Sequence, residues 1–370
     1  MNTESYFSHD YAEARAKFLK AAEACDAKIT SYENPALGPN GEKLTTDVAW
    51  LGPANAKKVI ITISATHGVE GFAGSAIQSG WFETGEALKN LRPDMALLAI
   101  HANNPYGFAW LRRFNEDNID VNRNFIDFDE KLPENKGYDE LAKALCPTKW
   151  TFLVRTLTLL RIGIYKEIHG EPATQKATSH GQYHYPKGIF YGGSKPTLSR
   201  SNLFEILETA LKNVEFAAVV DIHTGLGECA ADEEICNLSK ADSARINKAK
   251  EWYGLGCKSP ELDGDKSVSG GVKGNCVRGI VEKFPDKMVT GISLEFGTQP
   301  ALKALTAVRA DTWLQFYGDQ NSIKGREIKQ QIRDAFYCDD PNWKNTIFEK
   351  GVEILNITCE KLSEVTKIPS

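Results

Sequence analysis

Two imidazoles and a carboxylate stand where short apolar runs stop. The run from Val59 to Ile63 gives way to SATHGVEGFAG, which sets His67 and Glu70 three residues apart, and a later run closes on DIHTG with His223. Two histidines and a glutamate are the donor set of a catalytic zinc that keeps its fourth position open for water. Asp221 precedes His223 by two residues, so on a strand both side chains share a face. Its carboxylate is then placed to fix the imidazole tautomer as an outer acceptor.

Each residue also has a plain structural reading. Glu70 can serve a helix N-terminus by favouring its dipole, and His223 can be a hydrogen-bonded core histidine. The Asn- and Asp-rich stretch 115–124 can be a turn cluster, because these side chains bond their own backbone. Cys229 and Cys236 flank the His223 loop at a spacing that fits no zinc motif, and packing accounts for them. His180 and His184 are four apart, but Gly181 and Pro186 argue against a helix that would align them. The weight lies in joint occurrence: His/Glu, Arg and Asn-Arg, His, and Glu fall at successive strand ends.

Those residues need elements to hold them. Strand-length, β-branched runs lie at 57–66, 95–101, 216–223 and 291–296, and helix-period stretches cover 72–90, 199–213, 241–254, 299–317 and 323–337. The alternation predicts an α/β fold: a single mixed, largely parallel twisted sheet flanked by helices. In such a sheet, ligands bind beyond the carboxyl ends of the strands. We read residues 1–370 as one domain, with 126–197 an insertion and 300–370 a helical C-terminal part. The insertion holds the apolar-basic run WTFLVRTLTLLRIGIYKEI and a loop-like second half, and is expected to wall a pocket.

Composition narrows the partners. The chain has 370 residues, 42% of them apolar, enough to fill a sizeable core. Lys and Arg number 44 against 49 Asp and Glu, a net charge of −5 without a basic block, so no nucleic-acid footprint is expected. No signal-like or membrane-spanning apolar stretch is seen, and the eight cysteines lack CxxC pairs. A soluble, cytoplasmic protein with reduced thiols, no membrane partner and a small-molecule substrate is expected. The sequence leaves the oligomeric state open.

The order HGVEG, NPYGF, RR, NRNF, DIHTG, LEFGT resembles the zinc carboxypeptidase superfamily, which includes carboxypeptidase A and the aspartoacylase/succinylglutamate desuccinylase branch. It looks closest to an uncharacterised carboxypeptidase-like set, over about residues 45–300. The resemblance implies one Zn2+ per chain on His67, Glu70 and His223, with Glu295 as general base. It also implies Asn122 and Arg123 as the clamp for a substrate carboxylate. Arg113, in preference to Arg112, is implied as the oxyanion arginine. The family's digestive members carry a lid tyrosine a little over twenty residues before the general base; here that region reads KSVSGGVKGNC, residues 266–276, and has none. Tyr253 lies 42 residues upstream of Glu295, too far for simple carry-over. Either Tyr183, Tyr185 or Tyr191 in the insertion replaces it, or the aromatic lid is absent. The expected activity is zinc-dependent hydrolysis of an amide in a small peptide or amino-acid conjugate with a free carboxylate. The alternatives are an N-acyl amino acid deacylase and a zinc-binding protein without activity.

Overall fold

The computed structural model describes residues 3–366 except 226, 255 and 265–270. Strands β1 (Lys28–Leu37), β2 (Lys43–Leu51), β3 (Lys58–Ile63), β4 (Met95–His101), β5 (Phe216–Thr224), β6 (Asp232–Ile235) and β7 (Met288–Phe296) form one sheet. Its order is β1-β2-β4-β3-β5-β7-β6. The central four, β4, β3, β5 and β7, run parallel, and antiparallel strands close both edges.

Strands β4 and β5 are buried along their whole length, which is why MALLAIH and FAAVVDIHT are continuous apolar runs rather than alternating ones. The sequence reading misses β1, β2 and β6. Strand β1 (KITSYENPAL) is an edge strand that is mostly solvent-exposed, and its polar residues give no burial signal.

Helices α1 (Tyr11–Ala24), α2 (Gly71–Glu83), α3 (Glu86–Asn90) and α4 (Pro105–Ala109) belong to the first half of the chain. The single helix expected over 72–90 is two, because Gly85 sits at φ +72° between them. The segment 126–197 supplies α5 (Lys136–Leu145), α6 (Phe152–His169) and α7 (Glu171–Ser179). Its second half is therefore helical as far as Ser179 and loop-like only afterwards. Beyond it come α8 (Leu198–Ala210), α9 (Ser243–Tyr253), α10 (Pro260–Asp263) and α11 (Cys276–Lys283). Helices α12 (Ala301–Tyr317), α13 (Ile323–Phe336) and α14 (Pro341–Glu364) complete the chain. None of the described helices is long and apolar enough to cross a membrane.

Helix α2 follows the candidate ligands directly and is buried from Gly71 to Phe82, so it anchors them to the core. Helix α6 differs. It buries only Ile162, while Leu153, Leu157, Leu160 and Ile164 stay exposed on its outer side.

At the end of β4, His101 is wholly buried. Its ring stacks on Phe18 with centroids 4.6 Å apart, and its Nε2 meets Ser75 Oγ at 2.9 Å. Burial pulls its imidazole from the ordinary 6.5 down to about 4, against the attraction of Asp47. The ring is then neutral in the fold but charged in the unfolded chain between those values, so stability is complete above pH 6.5 and is lost as the pH falls toward 4. The shift is worth roughly 3 kcal/mol. His101→Asn should flatten that part of the Tm-against-pH curve; an unchanged acid slope would refute this origin.

Candidate metal centre

Two strand ends deliver the candidate ligands to one point. After β3 the chain turns through Ala65 at φ +56°, and Thr66 Oγ1 donates to Asp221 Oδ1 at 2.8 Å, tying this turn to β5. His67 and Glu70 then bracket a single 3-10 turn, Gly68–Glu70. That turn packs directly on the NPYGF segment: a Cβ on Gly68 would lie 2.0 Å from the Gly107 carbonyl carbon. Val69 N donates to Arg112 O at 2.8 Å, so the HGVEG and NPYGF-RR motifs form one unit. On β5, His223 is paired in register with Glu295 of β7.

The donor atoms of His67, Glu70 and His223 lie within 4.8 Å of one another, and all three residues are buried. Both imidazoles turn Nδ1 inward, 3.1 Å apart. Glu70 reaches His67 Nδ1 at 2.9 Å with one carboxylate oxygen and His223 Nδ1 at 3.0 Å with the other. The outward Nε2 atoms each meet a carboxylate, Asp221 at 2.8 Å for His223 and Asp120 at 3.2 Å for His67. A proton donated outward leaves the Nδ1 lone pair bare, so two lone pairs and a carboxylate point at one another. Positive charge between them, as a proton or a metal ion, relieves that repulsion, and the donor set suits a tetrahedral divalent metal.

The charges agree. Burial opposes ionisation of Glu70, yet His67, His223 and Arg113 hold its carboxyl far below the usual range. Asp120 behaves likewise, with Arg113 and Arg123 overcoming burial. For His223, burial disfavours the charge, but Asp221 and Glu70 outweigh it and push the imidazole well above its ordinary value. The pocket thus favours positive charge where the donors meet.

The two consecutive arginines part company. Arg112 is fully buried on Asp311 (2.9 Å) and Asn118 (2.9 Å), away from the donors. Arg113 donates to Asp120 (3.0 Å) and Glu70 (2.9 Å), and its Nη2 lies 2.7 Å from His67 Nε2. Arg113 and Asp120 therefore compete for His67 Nε2. A cation at the centre selects the tautomer that donates to Asp120.

Arg113, Asn122, Arg123, His67, His223 and Glu295 all line one cavity of about 610 Å³. Asn122 Oδ1 accepts from Cys276 N at 2.7 Å, at the start of α11. The Arg123 Nη groups donate to the carbonyls of Asn122 (2.9 Å) and Ser179 (2.6 Å), leaving a buried Nε with no partner.

Other expected residues lie elsewhere. Tyr183, Tyr185 and Tyr191 do not line the cavity: Tyr183 is buried with its hydroxyl on Arg123 O at 2.6 Å. The aromatic walls are Phe190 and Phe336, with Arg113 Cζ 5.3 Å and 5.9 Å from their ring centroids. Phe190 sits at φ +53°, a strained backbone for a bulky residue. His180 ends α7 and His184 pairs with Asp139, so neither joins the donors. Of the stretch 266–276, residues 266–270 lie outside the described residues. Asp120 and Phe190 were missed by sequence reasoning. Asp120 had a signal, standing two residues before Asn122 in the quoted motif; Phe190 had none.

Fold and site together define a class: an α/β sheet of the carboxypeptidase type with a His-Glu-His donor cluster at its strand ends. The chain belongs to the family described as "Protein of unknown function (DUF2817)", whose profile matches residues 7–350. No curated protein matches the chain. Among solved structures, thrombin activatable fibrinolysis inhibitor is 12% identical with a TM-score of 0.54, covering 98% of this chain and 76% of that one, and shares the fold. A metallo-carboxypeptidase from Burkholderia cenocepacia is also similar, at 12% identity and a TM-score of 0.44 over 94% of this chain and 68% of that one. So is an aspartoacylase family protein from Mesorhizobium loti, at 14% identity and a TM-score of 0.38 over 78% and 66%.

Removing an outer carboxylate typically costs about 10- to 100-fold in metal affinity. Asp120→Asn should weaken metal binding by that factor, measured by competition with a chelating dye. Affinity equal to wild type would show that Asp120 does not orient His67.

Proposed function

We propose that the protein is a zinc-dependent hydrolase that cleaves an amide bond in a small peptide or amino-acid conjugate bearing a free carboxylate. The observation that carries this reading is one cavity lined by His67 and His223 of the donor cluster, by Glu295 and by Arg123. Zinc at the donors supplies Lewis-acid polarisation of the scissile carbonyl and makes a nearby water more acidic.

The chain's own groups do the rest. Glu295, next to His223 in register, accepts the proton from water and returns it to the leaving amine. Arg123, with Asn122 beside it, holds the substrate carboxylate: the planar guanidinium donates two parallel hydrogen bonds and fixes the substrate end relative to the donors. Burial pulls the Arg123 guanidinium down against the opposing pull of Asp120, so a carboxylate there meets a cation with little water to screen it. Arg113 donates to Asp120 and Glu70. With His67 Nε2–H given to Asp120, the remaining N–H groups of Arg113 are left for the oxygen on which charge develops. N-acyl amino acids satisfy this reading and also the deacylase alternative, since both place a carboxylate on Arg123 and the amide at the donors.

Glu295→Gln should keep stoichiometric zinc by elemental analysis and lose about 10²- to 10⁴-fold in kcat. An undiminished rate would make Glu295 structural.

Amidation of the substrate carboxylate should lower kcat/KM by roughly 30-fold to several thousand-fold, the cost of leaving a buried charge poorly paired. In Arg123→Ala, already slow with the free acid, the difference between acid and amide should largely vanish, and Arg123→Lys should rescue it only in part. Equal wild-type cleavage of both substrates would remove Arg123 from the clamp.

A further inference from the structure

The cavity extends well past the reacting groups. At about 30 Å³ per small atom or water, 610 Å³ holds about twenty non-hydrogen atoms. An amino-acid head with its amide takes about a third of them. The remainder lies between the inner side of α6, with Leu159 and Ile162, and α12, with Leu302, Leu305 and Val308.

The third wall, α7, is polar by residue type but not by free hydrogen-bonding groups. Thr174 Oγ1 donates to Gly170 O and Thr178 Oγ1 to Thr174 O, both at 2.8 Å, so each hydroxyl is spent within its own helix. Ser179 Oγ does the same with Gln175 O at 2.8 Å. The charged pair on this side, Lys166 and Glu171, is joined to itself. A polar substituent placed here would lose water and meet hydroxyls whose protons are already engaged, whereas an aliphatic one would gain by burial.

We propose that the substrate is an amphiphile: an N-acyl amino acid whose acyl tail is an aliphatic chain of about eight to twelve carbons, seated between α6 and α12. This rests on the hydrolase reading above. The amide C–N bond breaks, the water oxygen joins the acyl carbon to give a fatty carboxylate, and the amino acid leaves with the water's protons shared between amine and solvent.

The test uses two substrate series with the full chain loaded with zinc: N-acetyl-, N-hexanoyl- and N-decanoylglycine, and N-acetyl-Gly-Gly, -Gly-Leu and -Gly-Phe. Binding of decanoylglycine and acetylglycine to the metal-free chain is measured in parallel by calorimetry. Each fully buried methylene should raise kcat/KM about fourfold, so even about four of the eight extra methylenes buried should put decanoylglycine at least about 100-fold above acetylglycine. Gly163 lines the cavity on α6, and a Cβ built there meets nothing within 4 Å. Gly163→Phe should therefore fill the tail space and cut the decanoyl-to-acetyl ratio at least tenfold.

Equal kcat/KM and equal affinity along the acyl series would overturn the proposal while leaving hydrolysis standing. A preference confined to the dipeptide series would overturn it too, by moving the apolar group to the amino-acid side. Tighter binding of decanoylglycine without turnover of any substrate would support the tail site and refute the hydrolase reading.

Discussion

The structure turns on two imidazole nitrogens facing each other at 3.1 Å with a carboxylate against both. Left alone, bare lone pairs at that distance repel, and burial removes the water that would screen them. The surrounding chain nonetheless holds them there. Asp221 and Asp120 take the outward nitrogens, Thr66 pins Asp221, and the backbone of Thr224 donates to Glu70. Such expense in oriented polar groups is the mark of a site built around a positive charge rather than of a satisfied core histidine. Glu70 makes no side-chain cap bond to α2, and its two carboxylate oxygens face the two imidazoles instead.

The parallel centre of the sheet makes the arrangement possible. Strands β3 and β5 are neighbours, β5 and β7 are neighbours, and all three run the same way. Their carboxyl ends therefore open on one side, bringing His67, His223 and Glu295 together from positions far apart in the chain. Rigidity comes from behind, through the buried helix α2 and the contact of Gly68 with Gly107. The walls come from elsewhere. Helices α6 and α7 belong to the insertion, and their loop places Phe190 in a strained conformation beside Arg113 and Arg123. Strain of that kind persists only where surrounding contacts impose it. The division is between a centre made by the sheet and a cavity shaped by inserted helices.

The sheet's core and the donor cluster were legible in the sequence because both are written locally. A buried parallel strand must be apolar throughout, so runs such as 95–101 declare themselves, and each ends on the residues that matter. Edge strand β1 did not, because half-exposed strands obey weaker rules. Between Arg112 and Arg113 the residue types gave no ground for choice, and only the resemblance favoured Arg113. The two are adjacent and chemically identical, and only packing sends one to Asp311 and the other to Glu70.

What the sequence determined by itself was therefore the chemistry available: two histidines and two glutamates at strand ends or in the turn beyond them, and an Asn-Arg pair in the 3-10 turn Val121–Arg123. What only the tertiary structure decided was which atoms meet. The inward turn of both Nδ1 atoms, the recruitment of Asp120, the parting of the arginines and the placing of Phe190 against Arg113 depend on contacts between segments distant in the chain. Local propensity carries no information about such contacts, because they are set by how the sheet, α2 and the insertion pack together.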